Sequence, residues 1–159
     1  MDIKFEGSVI FVKDVEASRR FYEVLLRQEV KDDFGRFVAY EGGFGIWEAG
    51  FAHQLIYEKP PQGSGPLGRR NLELYFETEV IEGTWSRLVE AGVELVHPMI
   101  EQPWGQRVFR LYDPDGHIVE IGEPLPLVAK RFLDQGMGVE EVAEKTMLPL
   151  EAVEEIARS

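Results

Sequence analysis

Residues 107–123 read RVFRLYDPDGHIVEIGE. Two runs rich in β-branched and aromatic residues flank Asp113-Pro114-Asp115-Gly116, in which Pro sets φ early and Gly accepts a positive φ late. The stretch is a hairpin. Upstream, Leu72–Phe76 (LELYF) reads as a strand, Thr78 is placed to cap, and EVIEGTWSRLVEAG reads as a helix that stops at Gly92. The same order occurs about sixty residues earlier. Ser8–Val12 (SVIFV) is a strand, Asp14 caps the helix DVEASRRFYEVLLRQ, and RFVAYEGGFGIWEAG, residues 36–50, forms the matching hairpin. A βαβββ pattern is written twice. The Pro/Gly-rich stretch PPQGSGPLGRR between the copies reads as a linker. The expected organisation is one α+β domain over 1–124, with modules 1–59 and 70–124 joined by linker 60–69. A helical extension over 125–159 follows.

Composition narrows the function. The chain has 159 residues, no cysteine, and 17 Lys+Arg against 29 Asp+Glu, a formal charge of -12. Without cysteine there are no disulfides, thiolate metal sites or Cys nucleophiles. The negative charge repels phosphate backbones and anionic lipid, so neither nucleic acid nor membrane is an expected partner. No apolar run reaches the roughly 18 residues a spanning helix needs, and no secretory leader is evident, so a cytoplasmic protein is expected. The segment VEEVAEKTMLPLEAVEEI has the outline of a helix-turn-helix. Residues 126–159, however, carry only Lys130, Arg131, Lys145 and Arg158 against seven acids. A helical cap on the domain, or on a second subunit, fits that charge better than DNA binding.

FVKDVEASRRFYEVLL resembles the first β-α unit of the vicinal oxygen chelate superfamily, which includes glyoxalase I, bleomycin-resistance proteins and extradiol dioxygenases. WGQRVFRLYDPDGHIVEIGEP resembles the closing hairpin of that superfamily, where a DPDG turn precedes a strand carrying Glu. The resemblance covers residues 1–124. It implies paired βαβββ modules that form a curved mixed sheet around a cavity, usually within a homodimer. In metal-dependent members it also implies four inward ligands. Their equivalents here are Gly7, Trp47, Asn71 and Glu120, of which only Glu120 matches. A transition metal wants about three ligands drawn from His, carboxylate or thiolate, so neither a metal nor another cofactor is expected. His53, His97 and His117 are the remaining candidate replacements. The spacing puts His117 on the opposite face from Glu120, His53 just after the fourth strand, and His97 in a loop before Pro98.

Strand alternation supplies the remaining inward residues. Gly7, Val9 and Phe11 share a face, as do Gly45 and Trp47, Asn71, Glu73 and Tyr75, and Ile118 with Glu120. Two inward acids imply water, a shared proton or a basic partner, for which Arg107 and Arg110 on the neighbouring strand are available. Trp104, in the loop Glu101–Gly105, is placed to close over a ligand, while Trp85, Phe21 and Tyr22 read as packing residues. The expected binding set is thus Phe11, Trp47, Asn71, Glu73, Tyr75, Trp104, Arg107 and Glu120. The function this suggests is a metal-free small-molecule binding protein of the glyoxalase/bleomycin-resistance type, with a planar or cationic ligand in an aromatic and acidic cavity. One alternative is an isomerase, lyase or dioxygenase in which Glu120 is the base or a metal ligand. Another is an interaction module that works through its C-terminal helices.

Overall fold

The computed structural model of the chain describes residues 3–159. Two compact units divide it. The first runs to Leu72 and includes the turn Asp113–His117; the second comprises Glu73–Tyr112 and Ile118–Ser159. Each carries one copy of the βαβββ pattern.

In the first unit, β1 (Ser8–Val12) leads to α1 (Val15–Arg19), which continues into a π-helical segment, Arg20–Leu25. Asp14 caps α1 as expected, its carboxylate accepting the Ala17 N–H at 3.0 Å. β2 (Val30–Asp33), β3 (Phe37–Tyr40) and β4 (Phe44–Glu48) complete a sheet of order β1-β4-β3-β2, with β1 and β4 parallel and the rest antiparallel. Period-2 alternation turns Ile10, Val12, Val38, Tyr40 and Ile46 inward with Phe21 and Tyr22, all buried. Each such burial contributes about 1.5–3 kcal/mol of transfer free energy. The hairpin expected over 36–50 ends earlier than its sequence suggests. Residues Ala49–Tyr57 form a helix, α2, and His53 lies on it. Glu48 starts that helix by accepting the N–H groups of Gly50 and Phe51 at 2.9 and 3.0 Å.

The second unit repeats the plan with β5 (Glu73–Glu77), α3 (Ile81–Glu90), β6 (Leu95–Glu101), β7 (Arg107–Tyr112) and β8 (Ile118–Gly122), in sheet order β5-β8-β7-β6. Leu74, Phe109, Leu111, Val119 and Ile121 are buried with Ile81 and Leu88 of α3, and Trp85 meets Phe109 edge-on at 5.1 Å between ring centroids. Thr78 is not the cap of α3. The N-cap position is Val80, one residue before the helix, and Thr78 Oγ1 instead accepts the Val80 N–H and bonds Thr84. His97 is a strand residue of β6, not a loop residue.

Three helices end the chain: α4 (Leu125–Asp134), α5 (Val139–Thr146) and α6 (Leu150–Arg158). Val128, Ala129, Phe132, Val142 and Val153 make a core of their own among them. This bundle belongs to the second unit. Arg131 ties it to the strand ends, donating to Glu123 at 2.7 and 2.8 Å and to the Gly105 carbonyl at 2.5 Å. No described helix is long and apolar enough to cross a membrane.

Glu123 also accepts from Arg107, at Nη2 and at the backbone N–H. Burial pushes its carboxyl upward, but hydrogen bonds from Arg107 and Arg131 outweigh that and hold it down at about 2. A carboxyl lowered on folding stabilises the native state fully above its unfolded value near 4.5 and loses that contribution as pH falls toward 2. Acid unfolding followed by circular dichroism should show this limb, and Glu123→Gln should flatten it. Parallel acid limbs for the two proteins would contradict the assignment.

Candidate functional site

On the face of each sheet opposite α1 in the first unit and α3 in the second, one row of side chains runs across the strands. In the first unit, register pairs Phe11 with Trp47 and Trp47 with Phe37. Trp47 is gripped edge-on by both, at ring-centroid distances of 6.0 Å, and approaches Phe51 of α2 at 6.5 Å. Edge-to-face packing places positive ring edges against negative ring faces, which fixes the indole's orientation. Val9, Phe34, Phe37, Trp47 and Phe51 line a pocket of about 410 Å³, with Arg36 over the Phe51 ring at 4.9 Å. Phe34, 72% exposed, stands at its edge.

In the second unit the equivalent row is Tyr75, Glu120, Arg110 and His97. Glu120 thus takes the place that Trp47 holds in the first copy. Arg110 donates to Glu73 at 2.6 Å, forms a close ion pair with Glu120, and lies 3.2 Å from His97 Nε2. A single guanidinium serves both acids, so the expected acidic pocket is largely compensated within the chain. Of the two arginines weighed as its source, Arg110 is the partner. Arg107 is not on this face. Alternation puts it with Phe109 and Leu111 on the helix side, paired with Glu82 of α3 and with Glu123.

Tyr75 and Trp104 enter a polar chain. Trp104 Nε1 donates to Gln106 Oε1 at 2.9 Å, and Gln106 Nε2 reaches both the Tyr75 hydroxyl at 2.9 Å and the Glu123 carbonyl at 2.6 Å. Tyr75 donates in turn to Glu77 at 2.9 Å. Partial burial, then that carboxylate, pushes the Tyr75 phenol up to about 12, so it acts as a neutral donor. Asn71 lies in the first unit, where it lines a cavity with Phe11 and His117. Gly7 precedes β1, and a Cβ there would stand 2.6 Å from the Gly43 carbonyl oxygen.

One arrangement went unread in the sequence. His117 is not a strand residue opposed to Glu120; it sits in the turn, buried, with Nδ1 2.9 Å from Asp113 Oδ2. Asp113 also accepts the Tyr22 hydroxyl at 2.8 Å and the N–H groups of Asp115 and His117 at 2.9 and 2.8 Å. Burial and then the Asp113 charge drive the Tyr22 phenol far above its ordinary value, so it remains a donor. The four-residue spacing of Asp113 and His117 across the turn was the available signal.

The family model for the glyoxalase-like domain matches residues 5–126. A protein of unknown function from Agrobacterium tumefaciens str. C58, known from its crystal structure, is 40% identical, with 78% of this chain and 96% of that chain covered and a TM-score of 0.72. A glyoxalase-related enzyme from Fulvimarina pelagi is 27% identical over 74% of this chain and 86% of its own, with a TM-score of 0.59. The lactoylglutathione lyase of Agrobacterium tumefaciens shares the fold, at 18% identity, 74% and 91% coverage and a TM-score of 0.56. No curated protein matches.

Proposed function

The chain belongs to the glyoxalase-like domain family, and from that premise we propose that it is a small-molecule binding protein whose first unit holds a planar ligand against Trp47. The observation that carries this reading is the aromatic pocket of Val9, Phe34, Phe37, Trp47 and Phe51. An apolar concavity with rigid rings offers stacking area at little entropic cost. Its only charged lining residue is Arg36, and the two acids expected to attract a cation, Glu73 and Glu120, are engaged by Arg110, so a planar neutral ligand fits better than a cation.

The same residues favour binding without a metal. Gly7 has no side chain, Trp47 has only an N–H donor, Asn71 has a neutral amide, and Glu120 is already paired. This donor set does not fit a divalent transition metal, and among the described residues no three His, Asp or Glu side chains converge on one. The alternative, an enzyme using Glu120 as base or metal ligand, has less support, because Arg110 compensates Glu120 and removes the need for a proton shared with Glu73.

A screen of planar aromatic compounds, read by quenching of Trp47 in a Trp85→Phe, Trp104→Phe background, tests the proposal. The affinity of each hit is then measured by titration calorimetry on the parent and variant proteins. Trp47→Ala should weaken each hit tenfold or more, equivalent to about 1.4 kcal/mol. Unchanged affinity would overturn the role given to Trp47.

A further inference from the structure

The first unit has a second cavity, of about 430 Å³, whose chemistry is the opposite of the protein's overall charge. Its polar wall consists of His53, Gln62, Arg69, Asn71 and His117, and no lining residue is an acid. That is unexpected in a chain carrying 29 acidic residues and a formal charge of -12. Phe11, Leu67 and Leu72 are among the apolar residues completing the wall. Arg69 is exposed and has no ion-pair partner among the described residues, so its guanidinium is available to the cavity.

His117 supplies the second observation. Its side chain is only 9% exposed, yet it lines this cavity. Nδ1 is taken by Asp113, at 2.9 and 3.1 Å from the two carboxylate oxygens, so Nε2 is the one ring nitrogen without a partner among the described residues. Asp113 is itself held by Tyr22 and by two backbone N–H groups, which fixes the imidazole's orientation. With Nδ1 engaged by Asp113, Nε2 is the ring atom left to meet a ligand in the cavity.

We propose that this cavity binds a small organic carboxylate. The guanidinium of Arg69 and the amide of Asn71 are donors for its oxygens, and the apolar wall takes its body. His117 adds a third donor when its ring carries both protons, with Asp113 compensating the charge. The other ionisable groups around that ring are Tyr22 from the helix, Asp115 from the turn, Lys13 beyond β1, and His53 and Arg69 of the cavity wall. Asp115 accepts the Lys13 backbone N–H at 2.9 Å, and burial raises its carboxyl, which favours its neutral form.

The chain has three histidines, which makes imidazole-¹⁵N NMR a clean readout. Benzoate, benzamide and benzylammonium share a ring and differ in charge. Benzoate should shift His117 and His53, convert His117 toward its doubly protonated form, and leave His97 unmoved. Benzamide should bind at least tenfold more weakly, and benzylammonium should have no effect. Arg69→Gln removes an exposed, unpaired side chain, so the fold survives it, and benzoate affinity should fall fivefold or more. Trp47→Ala should leave benzoate binding unchanged, so failure of stacking at Trp47 and failure of this site are separate results. No shift with benzoate up to about 50 mM, equal binding of benzylammonium, or indifference to Arg69→Gln would each overturn the proposal.

Discussion

Asp113→Ala should lower the unfolding free energy by about 3–5 kcal/mol, because it strands a buried hydroxyl, a buried imidazole and two backbone donors at once. The carboxylate is wholly shielded from solvent and accepts from Tyr22, from His117 Nδ1 and from the N–H groups of Asp115 and His117. Each orphaned buried donor costs about 1–3 kcal/mol, partly relieved where water can enter the vacated space. Tyr22→Phe removes one donor without orphaning another group, so it should cost only about 1 kcal/mol. Asp113→Asn keeps one acceptor oxygen and should fall between the two. Urea unfolding with the slope checked for constancy measures all three. A midpoint for Asp113→Ala within error of the parent would contradict this account of the turn.

The second large effect concerns Arg110. Arg110→Met keeps the stem's length and apolar contacts while leaving Glu73 and Glu120 without a cation. Glu120 is 10% exposed and Glu73 is 37% exposed, so the full penalty for breaking a buried pair does not apply. A loss of about 2–3 kcal/mol is expected, below the 3–5 kcal/mol typical of fully buried pairs. Glu120→Gln in the Arg110→Met background should recover about half of it, since the inner charge is then gone. The double-mutant cycle decides the matter. If Arg110→Met costs the same with Glu120 present or replaced, the ion pair is incidental, and the acidic pocket that the sequence suggests regains its standing.

These two sites differ in how far they were legible. The Asp113-Pro114-Asp115-Gly116 turn is written locally, because φ restrictions of Pro and Gly act within four residues whatever surrounds them. The Asp14 cap is local for the same reason, and so are the repeated βαβββ units, whose alternation of apolar and polar residues needs no tertiary knowledge. That Phe11 and Trp47, like Tyr75 and Glu120, stand on the sheet face opposite the buried core residues follows from that alternation. The register of β1 with β4 and of β5 with β8 places Trp47 and Glu120 at equivalent points of the two sheets. Helix α2 was hidden because its first turn contains Gly50 and is capped by Glu48, neither a customary start signal.

What sequence alone determined is the family, the doubled module, the faces of the strands and the mismatch at three of the four metal positions. The doubled module and the strand faces are matters of periodicity, whereas the family and the mismatch at its metal positions follow from the resemblance carried by two motifs. The choice of Arg110 over Arg107 as partner of Glu120, the service of Tyr22 and His117 to one carboxylate 91 residues from Tyr22, and a cavity free of acids in an acidic chain were decided by tertiary structure. Each depends on strand register or on contacts remote in sequence. Propensity acts along the chain, whereas compensation of charge and satisfaction of buried donors act through space, where only the folded protein sets the distances.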